Sequence, residues 1–256
     1  MPTTMRALGT IAVALLVLPL VGLIIRTPWP RVATLAADPA VHSALGLSLV
    51  TSLTALAVST VLGVPMAWLL ARNDFPGRTL VRALCVLPMV LPPVVGGVAL
   101  LLAFGRRGLI GQPLAELTGI TLPFSTAGVV LAETFVAMPF LIVTVEAGLR
   151  AMDRRYEHVA ATLGAGRWMA FRRVTLPLLR PSLGAGMALC WARALGEFGA
   201  TITFAGSLPG TTQTMPLAVY LQLERDPDAA ILLSLVLLVV SVTVLVALRG
   251  SYLEAP

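Results

Sequence analysis

Six apolar stretches, each long enough to cross the hydrocarbon core of a membrane, restrict the possible folds of this chain more than any other feature. A transmembrane helix needs about 20 apolar residues. The predicted spans are 7–25, 44–71, 80–104, 124–149, 182–205 and 229–248. They are too long and too uniformly apolar for β-barrel strands, which have about ten residues of alternating pattern. Only 12% of the 256 residues are charged, against about a quarter in soluble domains, so we predict an all-α integral membrane protein.

The spans divide the chain into three parts. Residues 1–43 hold the first span and an outer loop, 44–248 form a core of five spans with a long inner loop at 150–181, and 249–256 form a short tail. The first span follows Arg6 as a signal peptide would, but its roughly 19 apolar residues exceed the usual 7–15 of a signal sequence. An uncleaved span is therefore favoured over a cleaved signal.

The arginines predict the orientation of the chain. All 18 basic residues are arginine; with the N-terminus inside, twelve lie in inner segments and five in outer loops, and Arg193 lies within the fifth span. Because inner loops are enriched in basic residues, both termini are expected to be cytoplasmic. Seven of the arginines lie in 150–181, so most of the net charge of +6 marks the inner face and does not indicate nucleic-acid binding.

The residue types present disfavour several kinds of catalysis. Without lysine, the chain has neither a P-loop nor a Schiff-base residue. Its two histidines, His42 and His158, are too far apart for a His-Glu-x-x-His zinc site, and no Gly-x-Ser-x-Gly nucleophile motif is present. We therefore predict no catalytic residue, no metal site and no bound cofactor, and a membrane-embedded enzyme is disfavoured.

Charged residues lie inside two of the spans, where each costs about 2.5–3.5 kcal/mol on insertion scales. Glu133 and Glu146 belong to the fourth span, and Arg193 and Glu197 to the fifth. Arg193 and Glu197 are four residues apart, so one helical face would bring them together and partly neutralise them. Two interpretations remain open: these side chains connect helices, or they line a water-filled path.

Prolines interrupt the third span, and small residues and hydroxyls occupy the end of the fifth. Pro92 and Pro93 would break the helical hydrogen bonding, which favours a path-lining segment over a kinked packing helix. In the fifth span, the small residues of 196–200 permit close helix contact. Thr201 and Thr203 would offer hydrogen-bond donors to a passing anion.

The long inner loop is predicted to contain a short helix over 156–164 that ends at Gly164, a common C-cap residue. Further helical turns would place Trp168 and Phe171 on one face, and the proline-containing segment 175–181 would end them before the fifth span. Such a helix could lie on lipid headgroups or dock into a protein. Its alanine-rich first part favours docking into a protein.

This loop resembles the EAA motif of the membrane subunits of binding-protein-dependent ABC importers. The matching run is 158–164, followed by Leu176-Pro177. His158 occupies the position of the motif's glutamate, with Glu157 just before it, and Val159 replaces the first alanine. The glycine and the Leu-Pro pair are intact, and the resemblance covers about 44–248.

Two further runs are similar to the molybdate-type permeases of that family. They are 91–97 and 193–206, the latter together with 214–220. The Leu-Gly-Glu-Phe-Gly core of the second run is also similar in sulfate and thiosulfate permeases, whereas its Ala-Thr-Ile-Thr-Phe-Ala-Gly continuation favours molybdate.

The resemblance implies a type I ABC importer permease fold in the bacterial cytoplasmic (inner) membrane. A homodimer would work with two cytoplasmic ATPase subunits, which bind ATP and Mg, and with an extracytoplasmic oxyanion-binding protein. The chain would give molybdate its path by alternating access. The coupling residues would be Tyr156, Glu157, His158, Val159, Ala160, Ala161, Thr162, Leu163, Gly164 and Ala165. The path or gate residues would be Pro92, Pro93, Glu133, Arg193, Glu197, Thr201 and Thr203.

Two other functions remain open. Sulfate, thiosulfate or tungstate could replace molybdate as cargo, since tetrahedral oxyanions differ little in shape and charge. A secondary transporter or a channel would also have six spans with buried charges, but it would have no use for an EAA-like docking loop.

Overall fold

The computed structural model describes residues 3–248, so the predicted tail at 249–256 lies outside the described residues. Within that range the chain forms helices joined by loops, with no strand. The helices are α1 (Thr3–Arg26), α2 (Val32–Ala36), α3 (Pro39–Arg72), α4 (Arg78–Val90), α5 (Pro93–Phe104), α6 (Gly111–Thr118), α7 (Thr126–Ala151), α8 (Arg155–Thr162), α9 (Arg167–Ala170), α10 (Leu176–Leu195), α11 (Gly199–Phe204), α12 (Met215–Arg225) and α13 (Pro227–Leu248). A 3₁₀ turn (Trp29–Arg31) precedes α2, and a π-helical turn (Phe171–Thr175) joins α9 to α10.

Four helices in the described part of the chain are long and apolar enough to cross a membrane: α1, α3, α7 and α13. They correspond to the first, second, fourth and sixth predicted spans. Side-chain caps set where two of them begin. Asp38 accepts a hydrogen bond from the Ala40 N–H before α3, and Ser125 accepts one from the Gly128 N–H before α7.

The third predicted span is not one continuous helix. It consists of α4 and α5, which are bent by 119° relative to each other, as in a broken span or a re-entrant loop. Leu91 is extended, with ψ of 136°, because the following proline disfavours the helical conformation. Pro93 then begins α5, where its missing N–H costs nothing. The predicted interruption at the prolines is confirmed.

The fifth predicted span, 182–205, is divided by a break that the sequence did not predict, since α10 ends at Leu195 and α11 begins at Gly199. The Glu197 carboxylate accepts a hydrogen bond of 2.7 Å from the Ala200 N–H, so it satisfies a donor at the start of α11 that a helix leaves free.

The predicted helix stop at 175–181 was wrong. The π-helical turn runs directly into α10, and Pro177 lies in the first turn, where proline is tolerated.

Helices α3, α7 and α10 pack together as the centre of the molecule. The face of α3 that is buried here consists mostly of small residues, including Ala55, Gly63 and Ala67. Small residues let membrane helices approach closely. A Cβ atom at Gly63 would lie 3.3 Å from the side chains of Leu141 and Ile142 on α7, so this contact requires glycine or a small shift of α7.

Ion pairs connect the helices at both ends of the molecule. Near the C-terminal end of α7, the Glu146 carboxylate accepts from Arg82 of α4 at 2.6 Å and lies 3.0 Å from Arg150 Nε. Its side chain is only 8% exposed, so Glu146 connects helices, the structural one of the two interpretations. At the other end, Arg31 pairs with Asp226 at 2.6 Å, and this hydrogen bond holds the Asp226 pKa below its usual range.

Candidate functional site

The short helix α8 forms where the sequence predicts a helix, and it ends at the predicted glycine. The Asp153 carboxylate accepts a hydrogen bond of 2.9 Å from the Arg155 N–H. At the other end, Gly164 has a left-handed φ of 83°. Its N–H donates to Ala161 O, and the Ala165 N–H donates to Ala160 O, each at 3.0 Å. This pair of bonds is the Schellman arrangement, which favours glycine at this position.

Glu157 connects α8 to the membrane-embedded helices. Its Oε1 accepts hydrogen bonds from Arg72 Nη2 at 3.2 Å and from Thr175 Oγ1 at 3.0 Å. Arg72 closes α3, and Thr175 directly precedes α10. The carboxylate that makes these contacts therefore belongs to Glu157. His158 occupies the position of the motif's glutamate, and its side chain is exposed. Glu157 thus links α8 to the end of α3 and to the start of α10.

The outer face of α8 presents apolar side chains to the surroundings of the chain. Tyr156, Val159 and Leu163 are 56%, 57% and 83% exposed and share one side of the helix by their spacing. Ala160 is buried against the rest of the molecule. The other predicted coupling residues divide between the two sides: His158, Ala161, Thr162 and Gly164 are exposed, and Glu157 and Ala165 are half-buried.

The predicted pairing of Arg193 with Glu197 is confirmed, with Arg193 Nη2 at 2.5 Å from Glu197 Oε2. The pair bridges the break between α10 and α11. Glu197 is 1% exposed, so the arginine compensates its charge inside the molecule. Glu133 is equally buried on α7 and accepts a hydrogen bond of 2.9 Å from Thr51 Oγ1 of α3.

The start of α11 lies directly against the start of α5. A Cβ atom at Gly199 would lie 2.6 Å from Pro93 Cβ, and one at Gly97 would lie 2.5 Å from Thr203 Cβ. This contact confirms the close approach expected from the small residues of 196–200. Pro92 is exposed at the same end of α5.

The two threonines predicted for the path differ in their hydrogen bonding. Thr203 Oγ1 donates to Gly199 O at 2.8 Å. Thr201 is fully buried, and its hydroxyl has no hydrogen-bond partner within the described residues. A buried hydroxyl with no partner is unusual, so Thr201 retains a free donor.

Pro93 and Thr203 thus meet where α5 contacts α11, while Thr201 lies on α11 itself and Glu197 just before it. Glu133 lies on α7, whose side chains pack against both helices. Reasoning from the sequence missed Arg72 and Thr175, the partners of Glu157, and Thr51, the partner of Glu133. Nothing in a single sequence indicates which helices bring these residues together. Among residues 3–248, no group of three or more histidine, cysteine or acidic side chains could hold a metal ion.

The known proteins to which this chain is similar include two kinds of permease. Over 229 residues the chain is 53% identical to the molybdenum transport system permease protein ModB of Mycobacterium tuberculosis, covering 89% of this chain and 86% of that protein. It is 46% identical over 183 residues to ModB of Escherichia coli, covering 72% and 80%. It is 36% identical over 239 residues to the sulfate transport system permease protein CysT of Escherichia coli, covering 92% and 86%.

Solved structures of a bacterial ABC transporter that imports the acidic polysaccharide alginate have the same fold as this chain. One matches with a TM-score of 0.78 and 18% identity, covering 96% of this chain and 93% of the other. A second, with the same score, is a complex with an alginate-pentasaccharide-bound periplasmic protein. At this identity the match defines the fold, that of a type I ABC importer permease.

The family described as "binding-protein-dependent transport system inner membrane component" matches residues 59–252. The apolar helices and the fold shared with an ABC importer agree with this match. The chain therefore belongs to this family of inner membrane permease components.

Proposed function

We propose that this chain is the permease subunit of an ATP-driven ABC importer for molybdate. The observation that supports this most strongly is 46–53% identity to molybdenum permeases over most of the chain, against 36% for a sulfate permease. The chain would give the anion its path across the membrane by alternating access. ATP and Mg would bind to a separate ATPase, since this lysine-free chain has no P-loop.

The exposed side of α8 would dock into that ATPase. Tyr156, Val159 and Leu163 form an apolar face that a protein partner would cover. Closure of the ATPase would then move α8 as a rigid unit, and Glu157 would transmit the motion to α3 and α10 through Arg72 and Thr175. For ATP to drive the change, the ATPase must bind the inward-open and outward-open states with different affinity.

The path would run past the contact between α5 and α11. Its lining or gate would be formed by Pro92, Pro93, Glu133, Arg193, Glu197, Thr201 and Thr203. The unpartnered Thr201 hydroxyl is a donor suited to an oxyanion. The pairing of Arg193 with Glu197 reduces the repulsion that a bare carboxylate would exert on a negative cargo.

The complete transporter would contain two copies of this chain, two ATPase subunits and an extracytoplasmic oxyanion-binding protein. Each copy would cross the membrane six times with both termini in the cytoplasm, if α4–α5 and α10–α11 each count as one crossing. The complex of a transporter of the same fold with a periplasmic protein supports the presence of a binding-protein partner.

Uptake of radiolabelled molybdate into proteoliposomes tests this function. The vesicles contain the full chain with its ATPase, and the binding protein is supplied outside. We expect labelled molybdate to accumulate only when ATP and the binding protein are present. Unlabelled sulfate should suppress this accumulation less than unlabelled molybdate or tungstate does. Accumulation without ATP would instead identify a secondary transporter or channel, and stronger competition by sulfate would identify a sulfate permease.

A further inference from the structure

A groove of about 1120 Å³ lies between the C-terminal half of α3 and the segment from α8 to α10. Ligand pockets for small molecules have volumes of about 300–1,000 Å³, so this groove is large for a single small anion. Its two ends differ in chemistry.

The end of the groove that lies within the membrane span is apolar. Val61 and Val64 of α3 and Leu183 of α10 line it. Val61 lies eleven residues before Arg72 on the same helix, and at 1.5 Å per residue the groove therefore extends about 16 Å along α3. This depth suits a hydrocarbon chain.

The other end of the groove is basic. Arg72, Arg154 and Arg167 line it together with one acidic residue, Glu157, so three positive charges face one negative charge. The Arg72 side chain is only 7% exposed, and its Nε has no hydrogen-bond partner among the described residues. The guanidinium already donates to Glu157 through Nη2, so Nε is a further buried donor that an acceptor from outside the chain would satisfy.

Aromatic rings lie beside these arginines. Phe171 stacks on Trp168 with ring centroids 5.6 Å apart and contacts the Trp68 ring edge-on at 5.3 Å. Trp168 is 72% exposed. Tryptophan is enriched where membrane lipid meets water, so this end of the groove lies at headgroup depth.

We infer that the groove binds an anionic phospholipid, with its phosphate at Arg72 and Arg167 and an acyl chain along Val61 and Leu183. Basic pockets between membrane helices on the cytoplasmic side are suited to anionic headgroups. A free oxyanion would leave the apolar end unfilled, and a zwitterionic lipid would not match the net positive charge. Placement in the cytoplasmic leaflet rests on the orientation proposed above.

Lipid retention by the full chain tests this inference. The purified chain is placed in nanodiscs that contain equal amounts of phosphatidylglycerol and phosphatidylcholine with identical acyl chains, and native mass spectrometry counts the lipids retained on release. We expect preferential retention of phosphatidylglycerol. Arg167→Gln should lower it about fivefold, or about 1 kcal/mol, the usual contribution of one arginine near an anionic headgroup. Val61→Trp, which fills the apolar end, should lower retention of both lipids.

Matched variants outside the groove serve as controls. Arg172→Gln removes an exposed arginine of the same loop, and Leu62→Trp adds the same bulk one residue away from Val61; both should retain lipid as the unmodified chain does. Equal retention of the two lipids, or equal loss in Arg172→Gln, would overturn the inference. So would displacement of the lipid by millimolar phosphate or molybdate, which would identify a free-anion site, or by the ATPase. The measurement needs no transport, so failure of the molybdate proposal would leave its result unchanged.

Discussion

Gly164→Glu is expected to lower ATP-dependent molybdate uptake about 5–150-fold, the usual range of an allosteric coupling energy. Gly164 holds the left-handed conformation that ends α8, and a residue with a side chain there costs roughly 1–2 kcal/mol. A Cβ at this position would have no atom of a residue beyond its two chain neighbours within 4 Å, so the position has room for a side chain. The chain should therefore still fold, while the charged group obstructs the docking face. Uptake and ATPase co-purification, measured on the same preparations, separate these effects.

A glycine at the opposite end of the molecule provides the matched control. Gly119 also has a left-handed φ, of 72°, and open space around its Cβ position, but it precedes α7, whereas Gly164 lies beyond its other end. Gly119→Glu imposes the same kind of backbone strain without touching α8, so uptake should stay near the unmodified level. Normal uptake by Gly164→Glu with the ATPase assembled would contradict the proposed role of α8.

Gly97→Ala is expected to destabilise the chain by about 1–3 kcal/mol, the usual cost of overpacking. The added Cβ would lie 2.5 Å from Thr203 Cβ and 3.0 Å from the backbone oxygen of Ala200. A backbone atom cannot move aside alone, so α11 would have to shift away from α5. In an unhindered helix the same change raises stability by roughly 1 kcal/mol, so a lower midpoint of thermal unfolding in detergent would report the clash directly.

The neighbouring glycine tests whether the clash is specific to that contact. A Cβ at Gly96 would lie 3.3 Å from the Phe135 ring, and a side chain can give way by a few tenths of an ångström. Gly96→Ala should therefore change the unfolding midpoint much less and preserve uptake, whereas Gly97→Ala should lower both. Equal midpoints for the two variants would show that α5 and α11 are not in close contact at Gly97.

The long helices and the end of α8 could be predicted from the sequence because each depends on local patterns. A run of about 20 apolar residues identifies a membrane span regardless of which helices it packs against. Glycine at position 164 predicted the left-handed cap for an equally local reason, and Pro92 predicted the interruption between α4 and α5. The angle of 119° between those helices could not be predicted, because their packing partners determine it.

The contacts that give the site its geometry depend on distant residues and could not be predicted. Glu157 and Arg72 are 85 positions apart, and Thr51 and Glu133 are 82 apart. The break before α11 was missed for a different reason. Hydropathy reads 182–205 as one apolar run, whereas the buried Glu197 carboxylate begins a new helix there by accepting from the Ala200 N–H. The sequence predicted that Glu197 pairs with Arg193, and it does. The sequence did not show that the same carboxylate also caps α11.

Proximity cross-linking from α8 to the ATPase tests the central claim most directly. The test uses a variant in which the native cysteines, Cys85 and Cys190, are replaced by alanine. In this variant, Val159→Cys places a thiol on the exposed face of α8, and Leu117→Cys places one on α6. Both native side chains are well exposed, at 57% and 85%. A short thiol-to-amine cross-linker should join the ATPase to the chain from position 159 and not from position 117. Cross-linking from 117, or from neither position while the ATPase co-purifies, would contradict the assignment of α8 as the coupling helix.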